Sequence, residues 1–316
     1  MNNQARRIPS LFTLDVHDQP GIDRYIEHSV QFLSDMGIPA TYFVPAQVFE
    51  KLPEQINKIP RPHQVACHGL FHTGDEDYSG MPRAMQRDYI ERATKILSDG
   101  LSRHPGAFRT PGFRISGTTL SLLAEYGYYA DVSVNSGRLG ITSTYNKENG
   151  WFLAPRLPYH PDSRNPFREG SLPIWEIPVS AIVLPFTSNV AVTLGSGLTK
   201  LLTAVLLEES RLRPKPLVYM SHPEDLSENG PEHKRPKFNI RMLIPSERGI
   251  PFRHYLSAKG PEEFYRINCD ILKYLRCKNA VEFLTLEEYV KRHLQQGSQD
   301  GQRPLQTSPQ QPDGPR

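Results

Sequence analysis

The chain has 316 residues, 38% of them hydrophobic and 22% charged, with a formal net charge of +3. This is ordinary globular composition, enough for one large domain or two modest ones, and the scattered Lys and Arg argue against a nucleic-acid surface. Cys67, Cys269 and Cys277 have no short paired spacing, which excludes a zinc ribbon or a disulfide framework and fits a reducing compartment.

Ser10 to Val16 is a short apolar stretch that reads as a buried strand. It runs into Asp15-Val16-His17-Asp18 and then the turn signal Gln19-Pro20-Gly21. Ile26, Val30, Leu33 and Met36 follow helical spacing between Asp23, a candidate N-cap, and Gly37, a C-terminal stop. Ala40 to Val44 is a second strand, so the chain opens as strand, helix, strand, the start of a parallel α/β fold. Gln64 to Cys67 is a third strand, followed by a helix from about Arg83 to Leu101. Phe108 to Arg114 forms another strand end, Ser116 to Tyr126 a helix with a Ser/Thr-rich start, and Tyr128 to Val134 a further strand. Gly137 to Pro173, rich in Gly, Pro, Asn and Arg, reads as a long excursion at a site mouth. Trp175 to Val179 resumes strand character, Leu198 to Arg211 is a helix, and Pro216 to Pro223 is a late strand ending on His222. Glu224 to Tyr255 reads as loop, Pro261 to Leu275 and Leu286 to Leu294 as amphipathic helices. From Gln295 to Arg316 the chain is Gln, Gly, Ser and Pro with few large apolar residues, a disordered tail after a single domain over 1–294.

The stretch Cys67-His68-Gly69-Leu70-Phe71-His72 carries the chemistry. Two imidazoles four residues apart fall on one side of a helical turn, where they can share an ion. The pair alone is an incomplete site, and Gly69 occupies the place of the general base in the His-Glu-x-x-His metalloprotease pattern. Cys67 is expected to be a small core residue. Polar or ionisable groups stand at four separate strand ends, the pattern left by an active site at the C-terminal end of a parallel barrel. Taken singly, Asp15 and Asp18 read as turn residues, Arg109 as a surface ion-pair partner, Asp131 as a turn cap and His222 as a structural histidine. His63, His104, His160, His233, His254 and His293 stand in no motif.

Taken in order, these residues resemble the polysaccharide deacetylase family (NodB-homology, carbohydrate esterase family four), over roughly Leu11 to His293. The resemblance implies a distorted (β/α) barrel, usually seven-stranded, and a hydrolase that removes an acetyl group from an amino sugar with a divalent metal, most often Zn2+. By that resemblance Asp15 is the general base, His68 and His72 are metal ligands, and Arg109 of Arg-Thr-Pro-Gly pairs with the base. His222 is the general acid and Asp131 the residue that orients it. Phe113, Tyr128 and Tyr159 are placed as walls of the sugar pocket.

Two departures stand out. The usual Thr-Phe-Asp-Asp-Gly motif is here Thr13-Leu14-Asp15-Val16-His17-Asp18, which leaves the third ligand as either His17 or Asp18. The tryptophan common in the fourth motif is absent, Asp131-Val132-Ser133 standing in its place.

Arg6-Arg7 is followed by too short an apolar run for a signal peptide, and no eighteen-residue apolar run marks a transmembrane segment. A cytoplasmic enzyme is expected, acting on a lipid-linked, nucleotide-linked or oligomeric N-acetylated saccharide, with its oligomeric state left open. Two other readings stand beside this one: an allantoinase-like hydrolase of a small non-peptide amide, and a non-catalytic carbohydrate-binding relative.

Overall fold

A computed structural model describes residues 7–139, 149–232, 234–244 and 252–295. Its axis is strand β1 (Ile8–Asp15), buried along its whole length. Pleating sends Leu11, Thr13 and Asp15 toward the inside of the barrel and Phe12 and Leu14 toward the helices. Helix α1 (Ile22–Asp35) turns its apolar stripe, Ile22, Ile26 and Leu33, onto the sheet. It starts from Gly21 rather than Asp23 and stops at Gly37, both in the left-handed region. Strand β2 (Ala40–Val44) follows, then the short helices α2 (Ala46–Lys51) and α3 (Pro53–Asn57), β3 (Gln64–Cys67) and α4 (Arg83–Leu101). After β4 (Ala107–Phe108), helix α5 (Gly117–Glu125) is capped by Ser116 in a reciprocal hydrogen-bonded box with Thr119.

Strands β5 (Ala130–Asp131) and β6 (Trp175–Glu176) continue the sheet, and β7 (Ala181–Ile182) and β8 (Leu184–Pro185) form a small separate hairpin. Helix α6 runs from Ser188 to Leu212 with a break at Gly195, where φ is +76°. It begins ten residues before the expected start, because Gly195 and Gly197 interrupt the apolar pattern. Strand β9 (Leu217–Ser221), helices α7 (Phe252–Ser257) and α8 (Pro261–Arg276), strand β10 (Val281–Phe283) and helix α9 (Leu286–Tyr289), which runs on as a π-helical segment over Val290–Gln295, complete the described chain. The expected loop over 224–255 thus holds the start of α7 and two single-turn helices, 223–226 and 240–243. Apart from Gln295 itself, the tail from Gln295 lies outside the described residues, as does part of the 137–173 excursion.

Strands β9, β1, β2, β3, β4, β5 and β6 pair in that order, all parallel, as a curled seven-stranded half-barrel of the expected NodB type. The short β10 adds beside the start of β1, Ile8 in register with Val281. The gap between β6 and β9 is bridged by the segment leading to α6: Ser180 N–H donates to Val218 O (3.2 Å), and Thr187 pairs with Met220. Leu11, Phe43, Ala66, Val132, Ile177 and Val218 fill the interior, plugged below by Leu286, Tyr289 and Val290. With the lower barrel packed, the inward polar residues are left at the upper, C-terminal rim.

Candidate metal centre and its acid and base residues

Two positions above Leu11 on the inner face of β1 is Thr13, and two above that is Asp15. Both meet Arg109, which enters from the end of β4 and is fully buried. Arg109 Nη1 donates to Asp15 Oδ1 (2.5 Å), and Nη1 and Nη2 share Thr13 Oγ1 (3.1 and 3.0 Å). Its Nε donates to Val132 O (3.0 Å), and the guanidinium lies 4.3 Å above the Phe43 ring. Burial alone would raise the pKa of Asp15. The Arg109 charge and hydrogen bond, together with the His222 charge, outweigh it, and the carboxyl sits below its ordinary range.

His68 follows β3 directly and is buried. Its Nδ1 lies 2.8 Å from Arg109 O. A carbonyl can only accept, so Nδ1 carries the proton and the Nε2 lone pair is free. That Nε2 is buried and, among the described residues, has no hydrogen-bond partner; it lies 3.8 Å from Asp15 Oδ2. An orphaned acceptor of this kind calls for an explanation.

The segment from His68 to His72 is a loop, not the helical turn read from the spacing. Gly69 (φ +80°) and His72 (φ +57°) are both left-handed, and the loop wraps around one carboxylate. Glu76, with no solvent exposure, accepts from Leu70 N (2.7 Å), Phe71 N (2.9 Å), His72 N (2.6 Å) and the Tyr78 hydroxyl (2.8 Å). A Cβ on Gly69 would lie 2.5 Å from Glu76 Oε1, so only glycine fits there. Glu76 is a positioning residue that the sequence reading missed.

His17 comes from the turn after β1, its ring 4.4 Å from that of His72, 4.7 Å from His222 and 6.3 Å from His68. One ligand atom from each of His17, His68 and His72 lies within 4.8 Å of the other two. Asp18 is turned outward into an ion pair with Lys51 at the surface, so of the two alternatives it is His17 that joins the pair. Burial pushes the pKa of His17, His68 and His72 down, to about 3 for His68, and neighbouring imidazoles deepen the shift. The three rings are therefore neutral, the form in which imidazole binds a metal. Neutral convergent nitrogens, with one orphaned and buried, fit a divalent ion of the zinc type.

His222 stands at the end of β9. Its orienting partner is Asp225, where Asp131 had been expected: Nδ1 and the backbone N–H of His222 both reach Asp225 Oδ2 at 3.0 Å. Ser188 at the start of α6 donates to the same oxygen (2.6 Å). Pro223 closes a single helical turn that brings a residue three positions on back to the imidazole. Burial would lower the pKa of His222, but Asp225, with Glu224 and Asp15, raises it to about 9.

Asp131 serves another neighbour. It accepts from Ser133 N and Oγ (both 2.9 Å), and Ser133 Oγ accepts in turn from Thr110 N (2.9 Å). It thereby holds the backbone next to Arg109. Glu176 on β6, also missed from sequence, is fully buried and accepts from Val134 N (3.0 Å). Burial and the charge of Asp131 raise its pKa well above the ordinary value. Of the aromatic residues placed around a sugar, Phe113 borders the site, 5.4 Å from the Arg109 guanidinium. Tyr128 instead packs between sheet and helices with Phe108, and Tyr159 is buried with its hydroxyl on Pro166 O. Cys67 lies in the core, where burial lifts its thiol pKa to about 12.

Residues 8–130 match the polysaccharide deacetylase family model, a span that includes Asp15, His17, His68, His72 and Arg109. The chain is 28% identical over 109 residues to peptidoglycan deacetylase-like protein FGM2 of Gibberella zeae, covering 34% of this chain and 31% of that protein. It thus spans about a third of the length of the curated relative it matches. A structure from Mycobacterium smegmatis described as a polysaccharide deacetylase superposes with a TM-score of 0.57 at 17% identity, over 99% of this chain and 96% of that one. PuuE allantoinase superposes with a TM-score of 0.52 at 15% identity, over 92% and 93%. At such identities these two superpositions speak for the fold alone. The seven-stranded half-barrel and the match over residues 8–130 agree in making this chain similar to the polysaccharide deacetylase (NodB-homology) family.

Proposed function

We propose that the protein is a metal-dependent deacetylase that hydrolyses the N-acetyl amide of an amino sugar in a glycan or in a lipid-linked or nucleotide-linked saccharide. The observation that carries this reading is convergence. A buried, ionised Asp15 from β1 and a protonated, partnered His222 from β9 flank one group of three neutral imidazoles. A binding protein needs no proton acceptor and donor matched in this way.

His17, His68 and His72 would hold the ion. When bound, a divalent cation of this kind acts as a Lewis acid and brings the pKa of water toward neutrality. The chain's own residues move the protons. Asp15 Oδ1 is taken by Arg109, leaving Oδ2 to accept the proton of the attacking water. The water oxygen bonds to the amide carbon, and the carbon–nitrogen bond then breaks. His222 Nε2–H supplies the proton to the departing amine, while Asp225 on Nδ1 stabilises the imidazolium and fixes the ring. Acetate and the free amine are the products, and the proton held on Asp15 returns His222 to its starting state.

The test is amine and acetate release from N-acetylglucosamine oligomers and from a nucleotide-linked N-acetyl sugar, abolished by chelation and restored by Zn2+. Turnover of allantoin with none of the saccharides would replace this reading with the small-amide one. Metal binding without turnover of either substrate class would leave a carbohydrate-binding relative.

A further inference from the structure

Helix α6 is long and apolar enough, by length and composition, to cross a membrane, yet one face is packed on the barrel and the opposite face is also apolar. The buried arc carries Thr199, Thr203 and Ser210 beside Leu206 and Leu207. The threonine hydroxyls are satisfied within the helix itself, on Gly195 O (2.8 Å) and Thr199 O (2.7 Å). Leu198, Leu201, Val205 and Leu212, 49% to 74% exposed, fall within an arc of about 60° on the outer side at 3.6 residues per turn. A soluble helix normally places leucine inward and hydroxyls outward. This one buries Leu206 and Leu207 but presents Leu198, Leu201 and Leu212 to the surroundings.

Against α6 packs α7, and over α7 lies the segment 234–244. Phe238 contacts the rings of Phe252 and Tyr255 at 6.0 and 5.7 Å, and Arg235 lies 5.0 Å from the Tyr255 ring. Phe238, Ile240 and Ile244 are 54% to 67% exposed. Lys234, Arg235, Lys237 and Arg241 are interleaved with them, and no acidic residue occurs from 233 to 246. The four cations are exposed, and among the described residues none of them is in an ion pair.

We propose that α6 and segment 234–244 form a docking surface for an anionic lipid membrane, on which the protein sits peripherally. Exposed leucine, isoleucine and phenylalanine enter the acyl boundary while Lys and Arg meet the headgroups, the division of labour of an interfacial amphipathic surface. The charge argues against a second copy, since two such segments face to face set four cations against four. A soluble polyanion would use the cations and leave the α6 leucines without purpose. This surface is independent of the reaction assigned to the histidine site.

The experiment is sedimentation of the full chain with phosphatidylcholine vesicles, with and without phosphatidylglycerol, at low and high salt. Pelleting is expected only with the anionic vesicles. Lys234→Gln with Lys237→Gln should weaken it about 25-fold, roughly fivefold per cation. Leu198→Gln with Leu201→Gln should weaken it about tenfold or more and remove the salt-resistant part, with near-ultraviolet circular dichroism confirming that both variants are folded. Equal pelleting on neutral vesicles, or none on either, overturns the proposal. So does a dimer in light scattering that the leucine changes dissolve without vesicle binding, which makes the face an interface between copies. Heparin binding as tight as vesicle binding and unaffected by the leucine changes overturns it in favour of a soluble polyanion.

Discussion

At the scale of single residues, the opposed pKa shifts fit the proton-transfer roles proposed for Asp15 and His222. Asp15 is held ionised by Arg109 and His222 is held protonated by Asp225, so each is in the form its role requires near neutral pH. Asp15→Asn keeps the side-chain volume and removes the basic oxygen. The expected outcome is a fall in kcat of about 10²–10⁴-fold, with metal content by elemental analysis unchanged, because His17, His68 and His72 are intact. A near-normal rate would remove Asp15 from the base role. Asp225→Asn tests the acid. An imidazole with a raised pKa is active below that pKa and loses its proton as pH rises through it, so it sets the alkaline limb of the kcat/KM profile. Without the Asp225 carboxylate that limb should move down by about one pH unit or more. A bound cation lowers the starting point but not the sign of the difference. A similar shift in Asp131→Asn would return the orienting role to Asp131; its hydrogen bonds to Ser133 lead instead to a limb in the wild-type position. For stability the sign is the same. The His222–Asp225 contribution is complete below the ordinary imidazole value near 6.5 and disappears as pH rises through about 9.

At the scale of elements, the loop after β3 is the part on which the ligand geometry depends, and its order comes from Glu76. Glu76→Gln leaves one carbonyl oxygen for donors that now use two and places an amide N–H₂ against backbone N–H groups. The expected result is a loss of about 10–100-fold in metal affinity by competition with a chromophoric chelator, and a destabilisation of about 1–3 kcal/mol by urea unfolding. Gly69→Ala acts on the same loop from the other side, forcing a Cβ against Glu76 at a positive φ, and should reproduce the affinity loss. Unchanged affinity in both variants would mean that the loop is held elsewhere. The same loop shows what was legible. β2, β3 and α4 have their observed limits written in the sequence, because short β-rich runs and helical spacing are local signals. Glu76 was not read, since nothing in Asp75-Glu76-Asp77 marks which of three carboxylates turns inward. Asp225 was hidden by its turn: the spacing of a capping box is there, but with His222 where Ser or Thr would signal it. The helical reading of 68–72 failed because Gly69 and the Glu76 clamp override the four-residue spacing.

At the scale of the whole molecule, the histidine group joins parts of the chain that the sheet alone brings together. His17 follows β1 while His68 and His72 follow β3, with β2 between them. An ion bound by all three ties the rim across three strands and binds only the folded chain, so it must stabilise the fold by mass action. At a free Zn2+ concentration of 100 times Kd the gain is about 2.7 kcal/mol. For a domain of this size that corresponds to a rise in Tm of about 4–5 °C. The variants separate ligand from bystander without reference to activity. His17→Ala and His68→Ala should each abolish the zinc-dependent rise, Asp15→Asn should retain it, and Asp18→Asn should also retain it because Asp18 pairs with Lys51 at the surface. If Asp18→Asn lost the increment while His17→Ala kept it, the third ligand would be the carboxylate and the rim would have to rearrange on binding. Scanning calorimetry of the four variants, with zinc and with chelator, distinguishes the two arrangements, since a rise that follows His17 requires the ion to bridge β1 and β3 through imidazole alone.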